Sequence, residues 1–424
     1  MKVWQRSAWL CLLLLCLLFL CLGGAVRAQD TFYLKNGDRV VFYGDSITDQ
    51  RLYTTFVETY IVTRFPKLNV SFVHSGWGGD RVTGGGGGPI DRRLQRDVLP
   101  YKPTVVTIML GMNDGGYKAF DQKLFDTYTS GYEHIVQSLK HDLPGLRLTL
   151  IQPSPYDDVT RAPTFEGGYN AVLIRYSDFI RELASKQNAG LADLNTPVVA
   201  ALKKATASDA ALSQRIIPDR VHPGAGGHLV MAAALLKAWH APAFVSAVEL
   251  DAAAVKIARA DNTLVSELKS EGGLSWTQVD AALPLSIDMS DAVMALAVRS
   301  SDVIETLNQQ TLKIKGLSAP RYQLKIDGEV IGAFTSEQLS DGINLAVLPT
   351  PMVKQAKAVH ALTLKHNNLH FAAWRQVQFP FQDDKSPNIA KALSAMNALE
   401  QEVIAEQRAA AQPKPHRYEL TAEN

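Results

Sequence analysis

Arg39-Val40-Val41-Phe42-Tyr43-Gly44-Asp45-Ser46-Ile47 places a short, almost wholly apolar run directly before a glycine and a pair of small polar residues. A strand with one wet face alternates polar and apolar residues, whereas a strand buried on both faces reads as a continuous apolar run. Four further runs of this kind follow, Val70 to Val73, Val105 to Leu110, Leu146 to Ile151 and Leu191 to Leu194, with helical stretches between them. Strands alternating with helices predict a parallel sheet with helical crossovers, a doubly wound α/β layer structure. Ligand sites in such sheets gather where loops leave the carboxyl ends of the strands, and Ser46 stands at one such end.

Working toward the C-terminus, Gly224 to Trp239 reads as the helix that closes this α/β unit, and Ala241-Pro242 marks a change of texture. We therefore expect an α/β domain over 29–243. A smaller β-rich domain is expected over 244–345, where Tyr322 to Val330 carries Asp327-Gly328 between alternating apolar residues, the signature of a two-residue hairpin turn. Val245 to Leu250, Leu274 to Leu285 and Thr311 to Leu317 are further strand candidates. A helical segment is expected over 346–412: Thr350-Pro351 opens one helix, and a second spans roughly Ile389 to Ala411. Residues 413–424 read as a flexible tail. The five glycines Gly84 to Gly88 favour neither helix nor strand, and predict a tightly turning or mobile loop, either a plain linker or a flap over substrate.

At the N-terminus, Lys2 and Arg6 precede the apolar stretch Ala8 to Leu22, and small residues precede Gln29. This predicts a secretory signal peptide over 1–28, with export to the periplasm or the extracellular space; an uncleaved anchor is the alternative. Cleavage would remove Cys11, Cys16 and Cys21, the three cysteines of the 424-residue chain, which excludes disulfides and thiolate chemistry in the mature protein. It would also turn 43 basic against 42 acidic residues into 40 against 42. A balance so near neutrality gives no reason to expect a nucleic-acid partner, and no stable membrane insertion is expected after cleavage.

Chemistry is carried by four short blocks. Gly44-Asp45-Ser46 ends the first strand; taken alone, Ser46 could simply cap a helix. Asp219-Arg220-Val221-His222 precedes the closing helix, and an aspartate three residues before a histidine can fold back to orient its ring. Gly76-Trp77-Gly78-Gly79-Asp80 follows the second strand and Gly111-Met112-Asn113-Asp114 the third. A glycine backbone N–H and an asparagine amide are suitable donors to the oxyanion of an acyl-transfer reaction. Asp45, Asp80 and Asp114 read as loop braces, and Trp77 and Arg81 as possible substrate contacts, with a packing tryptophan and a solvated arginine as the plainer alternatives.

In this order the blocks resemble the SGNH hydrolase (GDSL esterase/lipase) superfamily. The resemblance implies a flavodoxin-like three-layer α/β domain, and it does not extend past about Ala243. It implies a catalytic triad of Ser46 as nucleophile, His222 as general base and Asp219 as its orienter. The oxyanion hole falls to the backbone N–H groups of Ser46 and Gly79 with the Asn113 amide. His74 stands where the family often has asparagine, which changes how the neighbouring loop is braced. The pattern lacks Gly-x-Ser-x-Gly, which separates it from the α/β-hydrolase elbow. No metal and no cofactor are expected, since there is no His-Glu-x-x-His and the glycine runs lack phosphate-loop endings.

The function expected is an exported serine esterase, most simply a carbohydrate O-acetyl esterase acting on a small-molecule or glycan ester. A lipid-directed esterase, lysophospholipase or thioesterase would use the same site. A secreted glycan-binding protein with a vestigial hydrolase site is the reading from another class. With a histidine base, the acid limb of kcat/KM should fall in the ordinary histidine range, near ~6.5.

Overall fold

In the computed structural model, which describes residues 32–423, the opening run is strand β1 (Arg39–Gly44). It leads into a single turn, α1 (Ser46–Asp49), and then α2 (Leu52–Arg64). There follow β2 (Ser71–Gly76), α3 (Ile90–Asp97), β3 (Val105–Met109), α4 (Gln122–Asp142), β4 (Arg147–Ile151), α5 (Gly168–Lys186), β5 (Gly190–Ala192), α6 (Thr196–Ser208) and α7 (Ala225–Ala238). The strands form one parallel sheet in the order β2-β1-β3-β4-β5. That is the flavodoxin-like order, in which the direction of winding reverses between β1 and β3.

Register fixes where the site can form. Gly44 pairs with Gly76 on one side and with Met109 on the other, so three strand-end loops leave the sheet at one level. Both glycines are steric necessities: a Cβ on Gly44 would lie 2.7 Å from the Met109 carbonyl oxygen, and one on Gly76 would lie 2.2 Å from the Asp49 nitrogen. The strand ends are thus bare enough for α1 to sit directly on them.

Beyond Ala241 the chain builds two more sheets. Strands β6 (Phe244–Asp251), β7 (Lys256–Asp261), β10 (Gln309–Lys315) and β13 (Ile343–Asn344) order as β13-β10-β6-β7. The other sheet holds β8 (Thr263–Lys269), β9 (Leu274–Asp280), β11 (Arg321–Ile326), β12 (Glu329–Thr335) and β14 (His416–Ala422), in the order β8-β9-β14-β11-β12. The Asp327-Gly328 turn has φ of 52° and 79°, the pair of positive values that a type I′ hairpin turn needs. Between the strands, α8 (Ala292–Arg299) packs on α7.

One expectation is corrected here. Residues 413–423 are not a loose tail, because β14 is the central strand of its sheet, with Tyr418 and Leu420 fully buried. Alternation at His416, Tyr418 and Leu420 with Arg417, Glu419 and Thr421 is the period-two signal, obscured in the sequence by the adjacent Pro413 and Pro415. Gly84 to Gly88 turns tightly, as one of its two readings expected, in a minute hairpin with Gly84 paired to Pro89 and Gly85 to Gly88.

The helical segment returns to the α/β layer. α9 (Pro351–Phe371) runs into a π-helical stretch, Ala372–Gln378, and then α10 (Pro387–Ala410). Of the 13 residues of α2, 12 are buried, because α7 and α9 both pack on it. Its buried polar side chains bond outward: Glu58 to His366, Thr55 to Asn367, and Arg64 to the carbonyls of Pro242, Phe244 and Leu307. Residues 1–28, where the leader is expected, lie outside the described residues. Among the described residues no helix is long and apolar enough to cross a membrane.

Candidate active site

The site assembles over the C-terminal ends of β1, β2 and β3, on the side of the winding reversal. The capping role open to Ser46 belongs to its neighbour: Asp45 accepts the Ile47 N–H at 3.0 Å, and Ser46 is the first residue of α1. Burial pushes the Asp45 carboxyl up to about 7. Ser46 itself is partly exposed, with its Oγ 2.8 Å from His222 Nε2. On the far side of the ring, His222 Nδ1 lies 2.7 Å from Asp219 Oδ2. An Nδ1–H given to the carboxylate leaves Nε2 as an acceptor for the serine hydroxyl, the tautomer that a general base requires.

Asp219 holds both ring and backbone. Its Oδ1 accepts the N–H groups of Val221 and His222 at 2.9 and 2.7 Å. Burial alone would raise this carboxyl, but the His222 N–H, the His222 ring and the Val221 N–H outweigh it and keep the group below the ordinary carboxylate range. The tight return between the two residues puts Arg220 at φ 73°, a left-handed conformation that is strained for a side chain other than glycine. Arg220 is held there by its own donations to the carbonyls of Asp157 and Ala162, while Arg161 reaches the carbonyls of Gln214, Ile217 and Pro218. The two arginines were missed in the sequence because each acts on a loop more than 50 residues away.

The other donors of the expected oxyanion hole stand on the loops after β2 and β3. Gly79 has φ 77°, which few residues but glycine adopt readily. The Asn113 Nδ2 donates one N–H to the Asp80 carbonyl at 3.0 Å, and Asn113 Oδ1 accepts from the Tyr117 hydroxyl at 2.9 Å. Those contacts fix which end of the amide carries the nitrogen and use one of its two N–H groups. Tyr117, whose phenol is pushed up to about 12 by burial and by Asp45, carries no motif signal. The braces are in place: fully buried Arg93 donates to Asp80 and to the Ser75 carbonyl, and Asp114 accepts the Val82 N–H. His74 is buried against Glu58, with Nε2 at 3.4 Å from the carboxylate.

Of the expected substrate contacts, Trp77 is corrected. Its side chain is enclosed by Trp374, Phe379 and Arg375 and is 6% exposed, so it packs and does not face ligand. Arg81 is exposed, donates to the Asn113 carbonyl, and lines a cavity of about 150 Å³ beside Asn113. A larger cavity of about 710 Å³ lies between β2 and the α9–α10 pair and is lined by none of Ser46, Asp219 and His222. Among the described residues no cluster of three or more His, Cys, Asp or Glu is arranged to hold a metal ion.

The model of the GDSL-like lipase/acylhydrolase family matches residues 42–230. An acetylxylan esterase from Geobacillus stearothermophilus is 27% identical over 224 residues, covering 48% of this chain and 94% of that one. The solved structure of a gut microbial diltiazem-metabolizing enzyme superposes with a TM-score of 0.82 at 26% identity, covering 93% of this chain and all of the other. That second match therefore includes the C-terminal sheets and helices.

Proposed function

From the premise that the α/β part of this chain belongs to the GDSL-like lipase/acylhydrolase (SGNH hydrolase) family, and that the chain is accordingly an ester-hydrolysing serine hydrolase, we propose that it is an exported carbohydrate O-acetyl esterase. The observation that carries the reading is the unbroken relay from Asp219 through His222 to Ser46, with contacts of 2.7 and 2.8 Å.

In this mechanism Ser46 Oγ attacks the ester carbonyl as His222 Nε2 takes its proton. The tetrahedral oxyanion is met by the N–H groups of Ser46 and Gly79 and by the second Asn113 N–H. Collapse breaks the bond to the sugar oxygen, which leaves with the proton held at Nε2. Water, deprotonated by the same nitrogen, then releases the acyl group from Ser46. Asp219, kept ionised, stabilises the imidazolium in both halves of the reaction.

Support for an acetyl group comes from the acetylxylan esterase relative and from the small cavity beside Asn113. Support for export is the leader-like segment at residues 1–28. The test is acetate release from a panel of acetylated xylo-oligosaccharides and other acetylated glycans, run beside esters of increasing acyl length. Release by the wild type and none by Ser46→Ala, with an unchanged circular dichroism spectrum, is the expected result. Preference for long acyl chains would replace the acetyl reading with a lipid-directed one, and activity retained in Ser46→Ala would overturn the assigned nucleophile.

A further inference from the structure

Among the loops that form the site, the glycine block depends most on help from elsewhere. A Cβ placed on Gly79 would find nothing within 4 Å, and one on Gly78 would meet only the Asp49 Oδ2, at 3.8 Å. Two successive residues without packing side chains, one with positive φ, have no steric reason to hold a single backbone geometry. Yet the Gly78–Gly79 peptide carries one of the N–H groups assigned to the oxyanion, and preorganisation of such donors is what makes them effective.

The restraint runs through Asp49, the last residue of α1. Its Oδ2 accepts the Gly78 N–H at 3.2 Å, which ties the glycine block to the same turn that begins with Ser46. Its Oδ1 faces the Arg375 guanidinium at 3.5 Å. Arg375 also approaches the Gly76 carbonyl at 3.5 Å and lies over the Trp77 ring, 3.5 Å from its centre. One side chain therefore contacts both sides of the frame, α1 through Asp49 and the glycine block through Gly76 and Trp77. It comes from the π-helical stretch Ala372–Gln378, whose Trp374 donates its indole N–H to Asp97 and packs edge-on against Trp77. Local π-helix recurs at functional sites because the wider turn re-aims side chains that a regular helix would direct elsewhere.

We propose that Arg375 is a positioning residue for ester hydrolysis: supplied by the C-terminal helical region, it orients the Asp49 carboxylate and thereby the Gly78–Gly79 peptide of the oxyanion hole. The inference rests on the acyl-transfer reading of the site.

The experiment compares full-length wild type, Arg375→Gln, Arg375→Lys, Asp49→Asn and the double variant Arg375→Gln/Asp49→Asn, using an acetyl ester and a thermal melt of each. Small misplacement of a catalytic group by a remote change costs up to ~100-fold, so kcat of Arg375→Gln should fall roughly ten- to a hundredfold with KM nearly constant. Arg375→Lys, which keeps a cation over Trp77 and beside Asp49, should recover most of the loss. The double variant should fall well short of the product of the two single losses, because both changes remove the same Arg375–Asp49 contact. A kcat of Arg375→Gln equal to that of the wild type, a loss confined to KM, or additive losses in the double variant would overturn the proposal. Were Arg375→Gln to unfold, Asp49→Asn decides in its place: a kcat equal to that of the wild type, or a loss confined to KM, would overturn the proposal. Absence of hydrolysis by the wild type would instead overturn the esterase reading on which the inference stands.

Discussion

The Asn113 side chain is held at both ends, by the Asp80 carbonyl and by the Tyr117 hydroxyl, and this is what turns a flexible amide into a fixed donor. In the proposed mechanism Asn113→Ala should cost about 2.7 to 4 kcal/mol of transition-state stabilisation, read as a drop of roughly a hundred- to a thousandfold in kcat with KM little changed. Tyr117→Phe keeps the ring and removes one hydrogen bond to Asn113, so a loss of only about 0.5 to 1.5 kcal/mol is expected. Steady-state kinetics on an acetyl ester checks both, and equal losses in the two variants would contradict the division of roles. The residues carried by short motifs were legible because a glycine, an aspartate and a serine or asparagine in succession mark a strand end. Arg161, Arg220 and Asp49 were not, since each matters through a contact made only when distant loops meet, and Tyr117, although close to Asn113 in the chain, belongs to no motif. Trp77 shows the converse: its place beside the glycine block suggested substrate, whereas its face is taken by residues some 300 positions later.

At the scale of elements, α9 is joined to α2 by buried charge. Glu58 Oε1 lies 2.6 Å from His366 Nε2, and the carboxylates of Glu400 and Glu58 both face the His366 ring. Burial alone would lower His366, but Glu58 and then Glu400 outweigh it and raise it to about 9. A histidine raised above its ordinary value contributes stability that is whole below about 6.5 and is lost as pH climbs through about 9. The melting temperature should therefore decline across that interval, and His366→Gln should flatten the decline. The same variant should be less stable near neutrality by ~3 kcal/mol, because it leaves Glu58 buried without its cation. His74, His360 and His370, all lowered by burial, titrate on the acid side, and the buried carboxyls of Asp45 and Asp114, raised to about 7, act alike in both proteins, so the difference between the two curves belongs to His366. Melts of both proteins from pH 6 to 9.5 check the difference, and parallel curves would refute it. In the sequence the helix start at Thr350-Pro351 was legible from its cap, and the strands β1 to β5 from their apolar runs. The docking of α9 on α2 was not, because a helix that buries His366, Asn367 and His370 carries its interface on polar residues that read as a solvated face.

Across the whole molecule the C-terminal third is tied down by its last strand. β14 pairs with β9 on one side and β11 on the other, so removing it separates the β8-β9 pair from the β11-β12 hairpin. It would also take Tyr418 from its stack on Trp276 and Leu420 from the same core. Loss of one large buried side chain typically costs about 3 to 5 kcal/mol, and a domain commonly has only ~5 to 15 to lose. A chain ending at Gln412 should thus lose cooperative folding of its C-terminal sheets. The damage should then travel toward the chemistry, since α10 reaches the open edge of β2, where Arg408 donates to the carbonyls of Leu68 and Val70, and α9 leads into the turn bearing Arg375. Limited proteolysis should find early cuts after Ala243 in the truncated protein, and acetyl-ester turnover should fall along with the melting temperature. A truncated protein with native protease resistance and full kcat would mean instead that the α/β layer holds its site without the helices that cover α2.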